Sequence, residues 1–234
     1  MSAPNLPDDL RESLVGVQGW LADEEAATLY RLARGLSGRG VIVEIGSFKG
    51  RSTISLGLGS KAGQGSHIFA IDPHRGPSYD DFLANTRRAG IDGLVTQVRL
   101  PSQEALAAIG DEPIELLFID GSHKYELVLQ DFALFVPRVV EGGWVLMHDT
   151  TSPFPGSKRV AGQLMYRSRE FTDVRFVPSS MTVGRKVAQN TAADRVRNHA
   201  ALGVKSLAEL AIPVRTRIPG PVNRAGRRLI TWVQ

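Results

Sequence analysis

The sequence predicts an α/β fold: a doubly wound, mostly parallel seven-stranded sheet with a basic C-terminal extension. Three observations predict it. Short apolar, β-branched runs alternate with segments of helical spacing, the pattern of parallel strands joined by crossover helices. A strand-turn-helix unit opens the series: Val41, Ile42, Val43, Glu44 and Ile45, then Gly46, Gly50 and the helix start Arg51-Ser52-Thr53. Charged residues also gather where apolar runs end, at Glu44, Asp72, Asp120, His148 and Asp149. Open parallel sheets bind ligands at that edge.

Taken in order, residues 1–9 are Pro-rich and acidic and read as a loosely ordered arm. Asp23-Glu24-Glu25 reads as an N-cap and acidic first turn, with Ala26, Leu29, Leu32, Ala33 and Leu36 following at helical spacing. Gly35 and the 37–40 run end that helix. Val41, Ile42, Val43 and Ile45 form a strand buried on both faces, as central parallel strands are. A short helix follows and stops in the Gly-rich stretch 59–65. The second strand, 67–72, ends on Asp72 and breaks at Pro73; helix 80–89 stops at Gly90. Strand 94–100, helix 105–109, strand 114–120 and helix 125–136 continue the alternation. Strand 144–149 is entered through Gly142-Gly143. Beyond Thr150 the pattern loosens into a Pro-rich loop, a helix at 159–167 and two short strands, 174–177 and 181–187. One further helix, 191–210, is weakened by Gly203 and precedes a Pro-, Gly- and Arg-rich end.

A chain of 234 residues with 42% hydrophobic and 22% charged residues suits one globular α/β domain. No apolar run reaches the ~18 residues of a membrane span, and the first nine residues lack a leader's basic and apolar segments. Zero cysteines exclude disulfides, thiolate metal sites and cysteine nucleophiles, and fit a reducing compartment. The expected location is therefore cytoplasmic. From Ala188 onward eight bases face only Asp194 and Glu209, a charge of +6, whereas the first 187 residues carry −2. The expected division is a catalytic domain over 1–187 and a basic extension over 188–234. With only Trp232 as an aromatic near its end, that extension lacks the interleaved rings of a nucleic-acid surface. It is expected to dock on the domain, cover the substrate cleft or contribute to a homodimer.

The opening turn excludes two familiar ligand loops. A dinucleotide fingerprint requires G-x-G-x-x-G and a phosphate loop G-x-x-x-x-G-K-[ST], whereas Gly46 and Gly50 give G-x-x-x-G. The run Glu44-Ile45-Gly46-Ser47, with Gly50-Arg51-Ser52-Thr53 after it, resembles the first motif of class I S-adenosylmethionine-dependent methyltransferases. The variant is similar to the metal-dependent sugar O-methyltransferases of macrolide and polysaccharide pathways. The resemblance spans roughly residues 40–150 and implies that Glu44, Ile45, Gly46, Ser47, Gly50, Ser52 and Thr53 surround the amino-acid part of the methyl donor. Lys49 and Arg51 read equally well as solvated charges.

Asp72 lies 26 residues after Gly46, where a carboxylate accepts both ribose hydroxyls of an adenosine. Ser102 is a weaker candidate for the adenine edge, and His74 and Arg75 are candidate neighbours of the donor. Asp120, in Phe118-Ile119-Asp120-Gly121-Ser122-His123, with Asp131 on the next helix, and the pair His148-Asp149 bring two carboxylates and an imidazole together. Such a set suits a divalent cation, Mg²⁺ or Mn²⁺. In the resembling family adjacent acids at positions 148 and 149 join the acid at 120 to hold Mg²⁺. Here a histidine replaces the first of them, so His148 is expected as third metal ligand or as general base. His123 is a second base candidate.

The expected function is transfer of a methyl group from S-adenosylmethionine to a hydroxyl of a saccharide or glycosylated metabolite, assisted by a divalent metal. Aromatics at 7% favour a polar acceptor over a flat catechol-like one, the alternative within O-methyltransferases. An oxidoreductase is disfavoured by the missing dinucleotide fingerprint. A non-catalytic nucleoside-binding module has no use for a metal site.

Overall fold

The computed structural model describes residues 6–74 and 76–215, with side chains through residue 209. The first five residues, Arg75 and the end beyond residue 215, with Arg217, Arg224, Arg227, Arg228 and Trp232, lie outside the described residues. Seven strands, β1 (Val41–Ile45), β2 (Ile68–Ile71), β3 (Val95–Val98), β4 (Ile114–Ile119), β5 (Val139–Met147), β6 (Phe171–Val177) and β7 (Met181–Lys186), form one sheet. Their spatial order is β3-β2-β1-β4-β5-β7-β6. Only β7 runs antiparallel to its neighbours, pairing Val145 with Gly184 and Phe176 with Thr182.

Alternation along β1 divides the core. Val41, Val43 and Ile45 face one layer, with Ile119, Phe135 and Met147, under α5 (Ser102–Ile109) and α6 (Tyr125–Phe135). Ile42 faces the other, with Leu10, Leu29 and Ile54 from α1 (Asp8–Leu14), α2 (Asp23–Arg34) and α3 (Arg51–Lys61). Each fully buried aliphatic side chain contributes about 1.5–3 kcal/mol, which explains why both layers stay closed over the sheet. Two regions depart from the sequence pattern. Asp8 and Asp9, expected at the end of a loose arm, instead open α1, because Leu6, Leu10 and Leu14 bury themselves against α3. The helix expected at 159–167 begins earlier, as α7 (Pro155–Ala161), and widens into a π-helical turn at Gly162–Tyr166. α4 (Ser78–Arg88) stands beside β2 and β3. α8 (Ala192–Arg215) braces β6: Asn198 Oδ1 accepts the Val174 N–H at 3.2 Å and its Nδ2 donates to Phe171 O at 2.9 Å. Among the described residues no helix is long and apolar enough to cross a membrane.

Candidate active site

The turn after β1 works because one residue has no Cβ. Gly46 has φ +90°, and a Cβ there would lie 2.3 Å from the Asp120 carbonyl oxygen, so glycine lets the ends of β1 and β4 touch. The turn is then tied to β2. Asp72 Oδ2 accepts the Ser47 and Phe48 N–H groups at 3.1 and 2.8 Å, and Oδ1 accepts the His74 N–H at 2.7 Å. A carboxylate offers about four acceptor sites, so one remains for an outside hydroxyl. Phe48 is held at φ 42°, a conformation a bulky residue rarely adopts, which fits a loop fixed for binding.

Behind this turn sits Glu44, fully buried on the α3 side. Its Oε2 accepts the Thr53 hydroxyl at 2.5 Å, while Oε1 has no hydrogen-bond partner. Burial pushes its pKa up to about 8, against the opposing hydroxyls of Ser52 and Thr53.

The ends of β4 and β5 carry a denser charge cluster. His148 is buried: its Nε2 lies 3.1 Å from Glu25 Oε2, and its Nδ1 lies 3.1 Å from Asp120 Oδ1 and 3.5 Å from Asp149 Oδ1. The Nδ1 contacts are ion pairs without the alignment of hydrogen bonds. Burial alone would lower the imidazole's pKa. The surrounding Asp120, Asp149 and Glu25 outweigh burial and hold it well above its ordinary range. Burial raises the Asp120 carboxyl despite His148; at Asp149 burial is outweighed by His148 and His123, and the carboxyl is lowered. Asp149 adopts φ 53°, a second strained residue at this edge. His123, half-exposed, places Nε2 2.8 Å from Asp149 Oδ2 and its ring 4.4 Å from Phe154.

A cavity of about 680 Å³ joins the two ends, within the usual size of ligand pockets. Of the sequence-derived donor residues it is lined by Gly46, Ser47, Ser52, Asp72 and Asp120; Glu44, Ile45, Gly50, Thr53, His74 and Ser102 do not reach it. Four of these have side-chain partners elsewhere. Thr53 donates to Glu44 one layer down. His74, its pKa lowered by burial, turns to Ser78 (3.2 Å) and Ser47 (3.5 Å). Ser102 donates to Asp131 at 2.5 Å, fastening the start of α5 to α6. Lys49 and Arg51 are not free surface charges: both line the cavity, Lys49 paired with Asp81 at 2.7 Å and Arg51 bonded to Leu21 O at 2.9 Å.

The cavity residues can take a nucleoside donor, with the Asp72 carboxylate toward one end and Asp120 toward the other. They also contain a cation-ready set: ligand atoms of Asp120, His123 and Asp149 lie within 4.8 Å of one another. Two carboxylate oxygens and one imidazole nitrogen match Mg²⁺ or Mn²⁺ chemistry. The imidazole of that set belongs to His123. His148, expected as ligand or base, has its Nε2 turned to Glu25 and its proton held by carboxylates.

Residues 43–150 match a family model described as "Methyltransferase domain". Nearly half of the chain is thus similar to a methyltransferase domain. The chain is 35% identical over 113 residues to an uncharacterized protein of Acanthamoeba polyphaga mimivirus, covering 46% of the chain and 50% of that protein. The chain thus spans about half the length of that relative. Among solved structures, cofactor-bound Rv0187 from MTB has TM-score 0.63 and 17% identity, covering 81% of this chain and 94% of that one. An O-methyltransferase from Bacillus cereus, in complex with SAH, has TM-score 0.58 and 18% identity, covering 77% and 92%. At these identities the likeness is one of fold: the seven-stranded, Rossmann-like sheet of class I methyltransferases.

The site also uses residues that the sequence reading passed over. Glu25 accepts Ala22 N–H at 2.9 Å, Ser180 N–H at 2.8 Å and the Ser180 hydroxyl at 3.1 Å, besides holding His148. Its signal was present: Glu25, Leu29 and Ala33 share the buried face of α2. Trp20, 81% exposed, stacks on Phe48 at 5.3 Å at the cavity's rim, and no periodicity could have marked it.

Proposed function

We propose that the chain is an S-adenosylmethionine-dependent O-methyltransferase that methylates a hydroxyl of a saccharide or glycosylated metabolite with the help of a divalent cation. The observation that carries this reading is the convergence of Asp120, Asp149 and His123 on the cavity floored by the Gly46 turn. Residues 1–187 supply this machinery, with α8 as a brace for the sheet. When bound, S-adenosylmethionine supplies an electrophilic methyl group on sulfur, and the cation lowers a bound hydroxyl's pKa by several units.

The chain's own residues do the rest. Asp72 receives one ribose hydroxyl on its remaining acceptor site. Asp120, His123 and Asp149 would hold the cation, which would acidify the acceptor hydroxyl, and a carboxylate oxygen of Asp120 or Asp149 would take the hydroxyl proton. Positioning carries much of the rate, because the reacting oxygen and carbon must be held about 3 Å apart and in line with sulfur. Trp20, Phe48 and Phe154 line the cavity beside its polar groups, a mixed surface that a saccharide's apolar and hydroxyl faces can use.

A second reading follows from the 2.8 Å contact between His123 and Asp149. In it no cation is needed: Asp149 orients His123, whose Nε2 takes the acceptor proton as general base. Titration calorimetry with S-adenosylhomocysteine, with and without Mg²⁺ or Mn²⁺, tests the donor assignment; absence of saturable binding sinks it. A glycan acceptor screen with chelator then separates the two readings. Turnover lost on chelation and restored by metal supports the first, and turnover indifferent to chelation the second. Asp149→Asn is expected to lower kcat/KM by about 100-fold or more under either.

A further inference from the structure

A second groove, about 340 Å³, opens between α7 with its π-helical turn and α8. Its lining holds Lys158, Arg159, Arg167 and Lys205 and no carboxylate. Glu209 beside it pairs with two of these, Lys158 and Lys205, and buried Lys205 also donates to Thr150 O. The arginines differ. Among the described residues neither Arg159 nor Arg167 has a carboxylate partner; the Arg159 guanidinium lies 4.2 Å over the Tyr125 ring, and Arg167 Nη1 donates to Gly162 O at 3.4 Å. Neutral groups therefore hold two guanidinium charges in place without cancelling them. The wall between them is the turn Gly162–Tyr166, of a helical type that is rare and recurs at functional sites.

We propose that this groove binds a phosphoryl group carried on an organic ligand. Four cations against Glu209 leave a surplus that suits a dianion better than a single carboxylate. Guanidinium forks match phosphate oxygens in bidentate geometry, and Arg159 is held over the Tyr125 ring with its charge uncancelled. The groove exceeds a phosphate in volume, and Tyr166 and Leu202 give its remainder an apolar wall for a carbon skeleton. Phe154 lines the first cavity and Pro155 the second, so a phosphorylated acceptor or a separate phosphorylated effector has access. The binding itself does not depend on the methyltransferase reading.

The test is calorimetric titration of the full chain with inorganic pyrophosphate and with glucose 1-phosphate at low salt, each with and without S-adenosylhomocysteine. Saturable one-to-one binding is expected, weakened about ten-fold or more, ~1.4 kcal/mol, in Arg159→Gln/Arg167→Gln and unchanged in the distant Lys61→Gln. Arg159→Lys, which keeps charge but loses the fork, is expected to bind at an intermediate level. Retained S-adenosylhomocysteine binding or an unchanged melting curve shows that the double variant is folded. Tighter binding of glucose 1-phosphate in the presence of S-adenosylhomocysteine supports an acceptor's phosphate; equal binding of both probes, indifferent to it, supports a separate effector. No saturable binding, or equal binding by the wild type and the double variant, overturns the proposal.

Discussion

Glu44 after β1 and His148 after β5 are both buried ionisable groups at the same edge of the sheet, yet they keep opposite states. Glu44 has two hydroxyl neighbours and no cation, so burial decides, and its pKa climbs to about 8. His148 has Glu25, Asp120 and Asp149 around it, so the charges decide, and the imidazole stays protonated. Desolvation is comparable in kind at both sites; the counter-charges within about 4 Å make the difference. The β1 end is accordingly a neutral scaffold under a glycine turn. The β5 end is a charged cluster that turns the Asp120 and Asp149 carboxyls toward the cavity.

The comparison breaks most severely at His148. His148→Ala strands three carboxylates without their cation and is expected to cost about 3–5 kcal/mol in urea unfolding with chelator present. His148→Gln, nearly as large but neutral, should cost almost as much. If glutamine restores stability, packing and not charge holds the cluster. The pH dependence follows from the raised pKa of His148: its contribution is whole below its unfolded value of about 6.5 and fades as pH rises through the folded one. Glu25→Gln should cost about 1.5–3 kcal/mol, because an amide cannot accept all the N–H and O–H groups that Glu25 satisfies. It should also weaken Mg²⁺ binding by about 10-fold through the slackened His148, as loss of an outer partner of a metal site does. Unchanged metal affinity would confine Glu25 to stability.

Glu44 sharpens the other half. Its folded pKa, about 8, exceeds its unfolded value, 4.5, so its contribution is complete below about pH 4.5 and is lost as pH rises through 8. Glu44→Gln, neutral throughout, should therefore gain on the wild type by about 1–2 kcal/mol between pH 6.5 and pH 8, read from paired urea curves. A constant difference across that window would mean that Glu44 is already ionised or already paired.

The sheet was legible because buried parallel strands leave few readings of Val-Ile-Val and Leu-Leu-Phe-Ile runs, and because glycine and charged residues punctuate their ends. Gly46 could be read as obligatory, and the structure gives the reason in the Asp120 carbonyl beside it. Asp72, Asp120 and Asp149 were legible as strand-end charges that the topology brings to one edge. The two histidines were legible as candidates, but their surroundings were not. Both line the cavity; His123 groups with Asp120 and Asp149, whereas His148 Nε2 is turned to Glu25, 123 residues away. No local pattern encodes a contact of that range. α1 escaped for a similar reason: its leucines acquire their meaning from α3.

Ser102 offers the smallest effect and the cleanest discrimination. The sequence places it after the third strand, where it could meet an adenine edge. In the fold its hydroxyl donates to Asp131, a carboxyl that burial raises and that this hydroxyl draws back down. Ser102→Ala should cost about 1 kcal/mol, the worth of one buried hydrogen bond, and leave S-adenosylhomocysteine affinity within about two-fold. Without its donor, Asp131 titrates at still higher pH, so the variant's deficit grows between acid and neutral pH as Asp131 must ionise unaided. A ten-fold loss of S-adenosylhomocysteine affinity at unchanged stability would reverse this assignment and return Ser102 to the donor pocket.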